Sequence, residues 1–127
     1  MSGTPDERYV AALAVKDVDA LRAVLDPAID VRALTPRAFW EATGADDFVE
    51  RIVLGHWFEP DDVITGVLAV DTGRLGPRSS VRYRLAVTSR DEPCLVEQQA
   101  YYETDGDRIS WLRIMCAGML PVDEVDA

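Results

Sequence analysis

The sequence predicts an α+β domain in which helices come first and a curved antiparallel sheet follows. Three observations carry this. Apolar residues recur at helical spacing up to about Trp57, and from Val63 onward they alternate with a period of two. The second half is punctuated by Asp91-Glu92-Pro93 and Asp105-Gly106, the turn chemistry of consecutive hairpins. Helices followed by a meander of strands define the α+β class.

Each element has its own signal. Thr4-Pro5-Asp6-Glu7 joins a capping box to a proline at the first helical position, and Val10, Leu13 and Ala14 continue that helix. Asp17 caps a second helix carrying Val18, Leu21 and Leu25, which Pro27 stops. Ile29 to Thr35 alternates as a short strand. Thr35-Pro36 is expected to open a short helix through Trp40 that ends at Gly44, and Asp46 to Trp57 a longer one with Phe48, Ile52 and His56 on a single stripe. Pro60 closes it. Strands are expected over Val63–Asp71, around Val81–Val87, over Leu95–Glu103 and over Ile109–Ala117, with residues 72–77 as a broad turn and a frayed acidic tail after Pro121.

Composition bounds the function. The 127 residues suit one domain with an ordered core over about 5–121, and 48% apolar content supports a packed interior. Twenty-three acids against thirteen bases leave a net charge of −10, which repels nucleic-acid phosphates and anionic lipid alike. No apolar run approaches the roughly 20 residues needed to span a bilayer, and the N-terminus lacks signal-peptide character, so a cytoplasmic location is expected. Cys94 and Cys116 have no metal-ligand spacing, and His56 is the single histidine, too few soft ligands for zinc. Asp46-Asp47 and Asp61-Asp62 read as helix-start and loop charges. No metal or cofactor is expected.

The order helix-helix-strand-helix and then four strands resembles the nuclear transport factor 2-like superfamily. The segment from Arg8-Tyr9-Val10 to Asp30-Val31 is similar, without a gap, to the N-terminal part of bacterial ketosteroid isomerases and SnoaL-like polyketide cyclases. Leu95-Val-Glu-Gln-Gln-Ala-Tyr-Tyr102 and Trp111-Leu-Arg113 look like a group of actinobacterial SnoaL-like proteins. The resemblance implies a cystatin-like, cone-shaped α+β barrel with an internal pocket, spanning residues 1–127 as one SnoaL-like domain, and dimers paired through the convex sheet face. It is specific for fold and unspecific for chemistry. Of the isomerase machinery only the tyrosine donor has a match, at Tyr9. The base position falls on Ala33 and the protonated acid near Ala100, which argues against steroid isomerisation. The Asp-Arg-Asp set of epoxide hydrolases of this fold has no match.

Alternation sorts the candidate pocket residues. Val96, Gln98, Ala100 and Tyr102 are expected inside, with Val81, Tyr83, Leu85, Leu112, Ile114 and Cys116; a slip of one residue would exchange the faces. Tyr9 and His56 are the candidate catalytic residues, Tyr9 as a hydroxyl donor and His56 as a base that titrates near neutrality. Against them stand a core tyrosine and a histidine that merely favours a helix end. Trp40, Trp57, Tyr83, Gln98, Tyr102 and Cys116 are the candidate ligand-binding residues, the tryptophans as walls for a flat apolar compound. Packing is the bland reading of Trp40, Trp57 and Cys116. Arg82, Arg84, Tyr101, Trp111 and Arg113 on the outer face suit a homodimer surface or cross-strand ion pairs. Two functions follow: an acid-base enzyme or binder of a small apolar molecule, or a non-catalytic homodimeric interaction module.

Overall fold

The computed structural model describes residues 3–125. Helices α1 (Pro5–Ala14) and α2 (Val18–Val24) are followed by strands β1 (Leu25–Thr35) and β2 (Ala38–Thr43). A short α3 (Ala45–Asp47) then runs into a π-helix, Phe48–Trp57. Four long strands follow, β3 (Asp62–Leu75), β4 (Arg78–Ser89), β5 (Glu92–Asp105) and β6 (Arg108–Pro121), and a short α4 (Val122–Val125) where a frayed tail was expected. The sheet has six strands in the order β2-β1-β6-β5-β4-β3. All pairs are antiparallel except β1 with β6, so the sheet is mixed and not purely antiparallel.

The helix starts are those the caps dictate. Thr4 Oγ1 accepts from the Glu7 amide at 3.4 Å, and Asp17 Oδ1 accepts from the Ala20 amide at 3.1 Å. The inner sheet face and the helices share one core. Tyr9, Leu13, Leu21, Phe48 and Ile52 pack against Val31, Tyr83, Leu85, Leu112 and Ile114, all of them buried. Each such side chain contributes roughly 1.5–3 kcal/mol by leaving water. Among the described residues no helix is long and apolar enough to cross a membrane.

Leu25, expected on the second helix, instead opens β1, and three further segments differ from the sequence expectation. Residues 35–40 are not helical: Pro36 and Arg37 form a two-residue turn, and Ala38–Thr43 returns along β1 with Ala33 opposite Trp40. Trp40 Nε1 donates to Thr35 Oγ1 at 3.0 Å, and that hydroxyl donates to the Ala38 carbonyl at 3.1 Å, a local network only a hairpin can make. Residues 72–75 are strand, paired with 78–81, and only Gly76 and Pro77 turn. The later hairpins turn at Arg90-Asp91 and Gly106-Asp107, one or two residues from the expected positions, because all four positions but Asp107 hold the positive φ that such tight turns demand.

The third difference matters most for the site. Residues 48–57 wind with i→i+5 bonds, continued by the Phe58 amide on the Val53 carbonyl at 2.7 Å. The extra residue per turn rotates His56 away from the buried stripe of Phe48 and Ile52, and its ring is exposed. Gly55 makes this winding possible, since a Cβ there would lie 2.8 Å from the Glu50 carbonyl oxygen. In an α-helix, Gly→Ala stabilises by about 0.5–1 kcal/mol. Gly55→Ala should therefore reverse the sign and destabilise by about 1 kcal/mol or more, read from urea unfolding midpoints. An increase in stability would show that this segment tolerates ordinary α-helical winding.

Candidate functional site

The sheet's rows assemble the site. Cys116 on β6 lies opposite Gln98 on β5, and Gln98 lies opposite Tyr83 on β4. Paired residues of antiparallel strands share a face, so these three form one polar row across an otherwise apolar interior. Tyr83 donates its hydroxyl to Gln98 Oε1 in a short, buried bond. The Tyr9 ring meets the Tyr83 ring edge-on, with centroids 6.1 Å apart.

Gln98 and Cys116 open onto a cleft of 420 Å³. Its walls are Trp40 from β2, Trp57 and Phe58 from the end of the π-helix, and Met119 and Leu120 from β6, with Pro36, Arg37 and His56 at the mouth. A bulge shapes one side. Ala117 and Gly118 together face the single Glu97, and Gly118 adopts φ +101° with Pro36 Cγ 3.1 Å from where a Cβ would stand. The Gly118 amide turns back to donate to Cys116 Sγ at 3.3 Å. No Asp or Glu lines the cleft, although such residues are 23 of the chain's 127. An adjoining cleft of 720 Å³ shares His56, Trp57 and Met119 and is acidic, through Glu59, Asp61, Asp62 and Glu92.

The candidate residues thus separate. Trp40, Trp57, His56, Gln98 and Cys116 line the 420 Å³ cleft. Tyr9 and Tyr83 lie behind its floor, fully buried, and do not line it. Tyr102 belongs elsewhere. It sits four residues along β5 from Gln98, about 13 Å away, and its hydroxyl donates to Asp6 Oδ2 at 3.0 Å at the opposite end of the cone. Asp6 itself escaped the sequence reading because its place in the capping box explained it; the carboxylate also accepts from the Glu7 amide at 2.7 Å. Phe58 and Met119 were missed as well, one hidden behind Trp57 and the other beyond the expected end of β6. Among the described residues no group of three or more His, Cys, Asp or Glu is arranged to hold a metal ion.

His56 stands at the mouth, its ring 5.0 Å from that of Trp40. Its Nδ1 lies 2.7 Å from the Arg51 carbonyl oxygen, an acceptor, so Nδ1 carries a proton and Nε2 is the lone-pair nitrogen of the neutral ring. Burial pushes the Tyr9 hydroxyl up to about 12, offset in part by the neighbouring Tyr83 hydroxyl. Burial raises Tyr83 well above its ordinary value, too. The Tyr9 and Tyr83 hydroxyls are near enough to influence each other, yet no atom meets hydrogen-bond geometry with the Tyr9 hydroxyl, nor with buried Trp57 Nε1.

No protein-family model matches the chain, and no curated protein matches it in sequence. Solved structures do match in shape. A protein from Rhodopseudomonas palustris, provisionally called an isomerase, superposes with a TM-score of 0.67 at 17% identity, covering 91% of each chain. A nuclear transport factor 2-like protein from Burkholderia thailandensis gives 0.64 at 19% identity over 91% of this chain and 92% of the other. An epoxide hydrolase of the LEH-like kind from M. tuberculosis gives 0.66 at 16%, covering 88% and 79%. The chain therefore has the cone-shaped α+β fold of nuclear transport factor 2-like proteins.

The two tyrosines make opposite predictions. Tyr9→Phe removes a buried hydroxyl that has no partner and should leave stability unchanged or raise it by about 1 kcal/mol, whereas Tyr83→Phe strands Gln98 Oε1 and should cost about 1–3 kcal/mol. Both phenols ionise later in the folded chain than in the unfolded one. Their stabilisation is therefore complete below pH 10 and is lost as pH rises from 10 toward 12, at about 1.4 kcal/mol per pH unit for Tyr9. Urea unfolding at neutral pH and between pH 9 and 12 checks both; a Tyr9→Phe variant with unaltered alkaline sensitivity would contradict the assignment.

Proposed function

We propose that the chain binds a small, mainly apolar molecule in the 420 Å³ cleft and transforms it by proton transfer. One observation carries the reading: an acid-free, aromatic-walled cleft of ligand size opens onto a buried amide, Gln98, whose oxygen is already engaged by Tyr83. The amide's N–H₂ group is then what Gln98 offers a ligand carbonyl or hydroxyl. His56 Nε2 is the proton acceptor at the mouth. Tyr9 and Tyr83 stay protonated at neutral pH and act behind the floor, Tyr83 by fixing the Gln98 rotamer. Solved neighbours named as an isomerase and as an epoxide hydrolase support a small-molecule reading by likeness of fold.

A neutral bicyclic ketone, 2-tetralone, tests this. It should quench Trp40 and Trp57 fluorescence, and the chain should speed exchange of its α-protons into deuterated water at least tenfold over buffer, as NMR reads. His56→Gln should remove the exchange and keep binding; Gln98→Leu should weaken binding about tenfold. Binding without accelerated exchange would leave a binder and remove the enzyme.

A second reading rests on the outer sheet face. Leu34, Phe39, Tyr101 and Met115 are exposed there around a shallow groove of 510 Å³. Leu34 lies beside both Phe39 and Met115 in the ladder, so the apolar surface is continuous across β2, β1 and β6. A homodimer formed through this face serves either an enzyme or a non-catalytic interaction module. The expected ion pairs on the same face are formed within the chain: Arg84 with Glu97 at 3.0 Å and Arg82 with Asp71 at 2.6 Å. Sedimentation at micromolar concentration should give twice the chain mass, falling to the monomer in Met115→Glu; a monomeric wild type would exclude the dimer.

A further inference from the structure

We infer that the cleft's ligand carries a carboxylate, held at the mouth by Arg37, with its apolar body against the tryptophans. This rests on the small-molecule reading above and narrows it to a class: monoanionic carboxylic acids with a flat ring system.

Charge is the argument. Seven arginines are engaged by carboxylates, among them Arg22 with Asp46 and Glu50, Arg51 with Asp47, Arg82 with Asp71 and Arg84 with Glu97, whereas Arg32, Arg37, Arg74, Arg90 and Arg108 form no ion pair among the described residues. Arg37 lines the cleft, and its side chain has neither an ion pair nor a hydrogen bond among the described residues. In a chain of net charge −10, an unpaired guanidinium at an acid-free cleft that reaches a buried amide favours an anion locally, which the exposed outer groove beside Arg32 does not combine with a buried polar group. The guanidinium's paired N–H donors match a carboxylate in geometry as well as sign.

Position gives the ligand a direction. Arg37 occupies the two-residue turn between β1 and β2, while the acidic cleft begins on the other side of His56. The end of the π-helix adds its own negative potential there. A carboxylate is thus turned away from the His56 side toward the hairpin, and the ring system is drawn inward past Trp40 to Gln98.

Volume sets the size. A cleft of 420 Å³ lies in the range of small-ligand sites and suits a bicyclic acid. The probes 2-naphthoate and 2-naphthamide have the same number of non-hydrogen atoms and differ in charge.

Isothermal titration calorimetry at low salt separates the outcomes. Because the pair is partly exposed, 2-naphthoate should bind about two- to fivefold tighter than 2-naphthamide. The preference should vanish in Arg37→Gln and at high salt, where exposed pairs are screened. The melting temperature of Arg37→Gln should equal that of the wild type, since Arg37 is exposed and unpaired. Equal affinity for both probes in the wild type, tighter binding of 2-naphthylmethylamine, or an Arg37→Gln variant that keeps the preference would overturn the carboxylate assignment and leave the pocket reading intact. Failure of every naphthyl probe and of 2-tetralone to bind at millimolar concentration would remove the small-molecule reading itself, and this inference with it.

Discussion

Everything about the cleft depends on the parallel pairing of β1 with β6. Val31, Ala33 and Leu34 lie beside Leu112, Ile114 and Met115, although each pair is 81 positions apart in the chain. That pairing carries β2 and the Pro36–Arg37 turn to the rim of the cone, where Trp40 faces the end of the π-helix and Pro36 meets Gly118. Without it the β3–β6 meander would still form, but its concave face would lack one wall. Parallel pairs need a long crossover, and here the crossover is most of the fold.

Within this frame the polar row of Cys116, Gln98 and Tyr83 is a costly arrangement. A buried amide or hydroxyl without a partner costs about 1–3 kcal/mol, and the bond between Tyr83 and Gln98 offsets this only for the atoms it joins. The Tyr9 hydroxyl and Trp57 Nε1 remain unsatisfied. An apolar core would be served better by Phe and Leu at these places, so the row lowers stability where it stands, and the proposed ligand would offset that cost.

The fold was legible because its cues are local and concordant. Thr4 and Asp17 cap where capping residues should, and the alternation of Val96, Gln98, Ala100 and Tyr102 puts all four inside. The hairpin at Pro36 was not legible. Thr35-Pro36 is a sound helix opening, and only the need of β1 for a partner makes the following residues a strand. The π-helix was hidden too, since i→i+4 and i→i+5 winding share the same apolar letters and diverge only by the position of His56. The site was half legible: Trp40, Trp57, Gln98 and Cys116 line the cleft, yet inward direction alone could not say that Tyr102 lies at the far end with Asp6.

The outermost strand carries a further consequence. β3 is fourteen residues long and ends the sheet, leaving Val63, Val67, Leu68 and Val70 exposed. A regular strand of this length and composition would be a template on which another chain's backbone could add. Its ladder with β4 is broken twice, between Ile64 and Gly66 and between Val67 and Ala69. Each break disturbs the spacing of the outward-facing donors and acceptors in the first half of the strand, and the regular run is confined to Ala69–Leu75. The same irregularities that bend the sheet into a cone therefore also shorten the stretch of edge on which another strand could add.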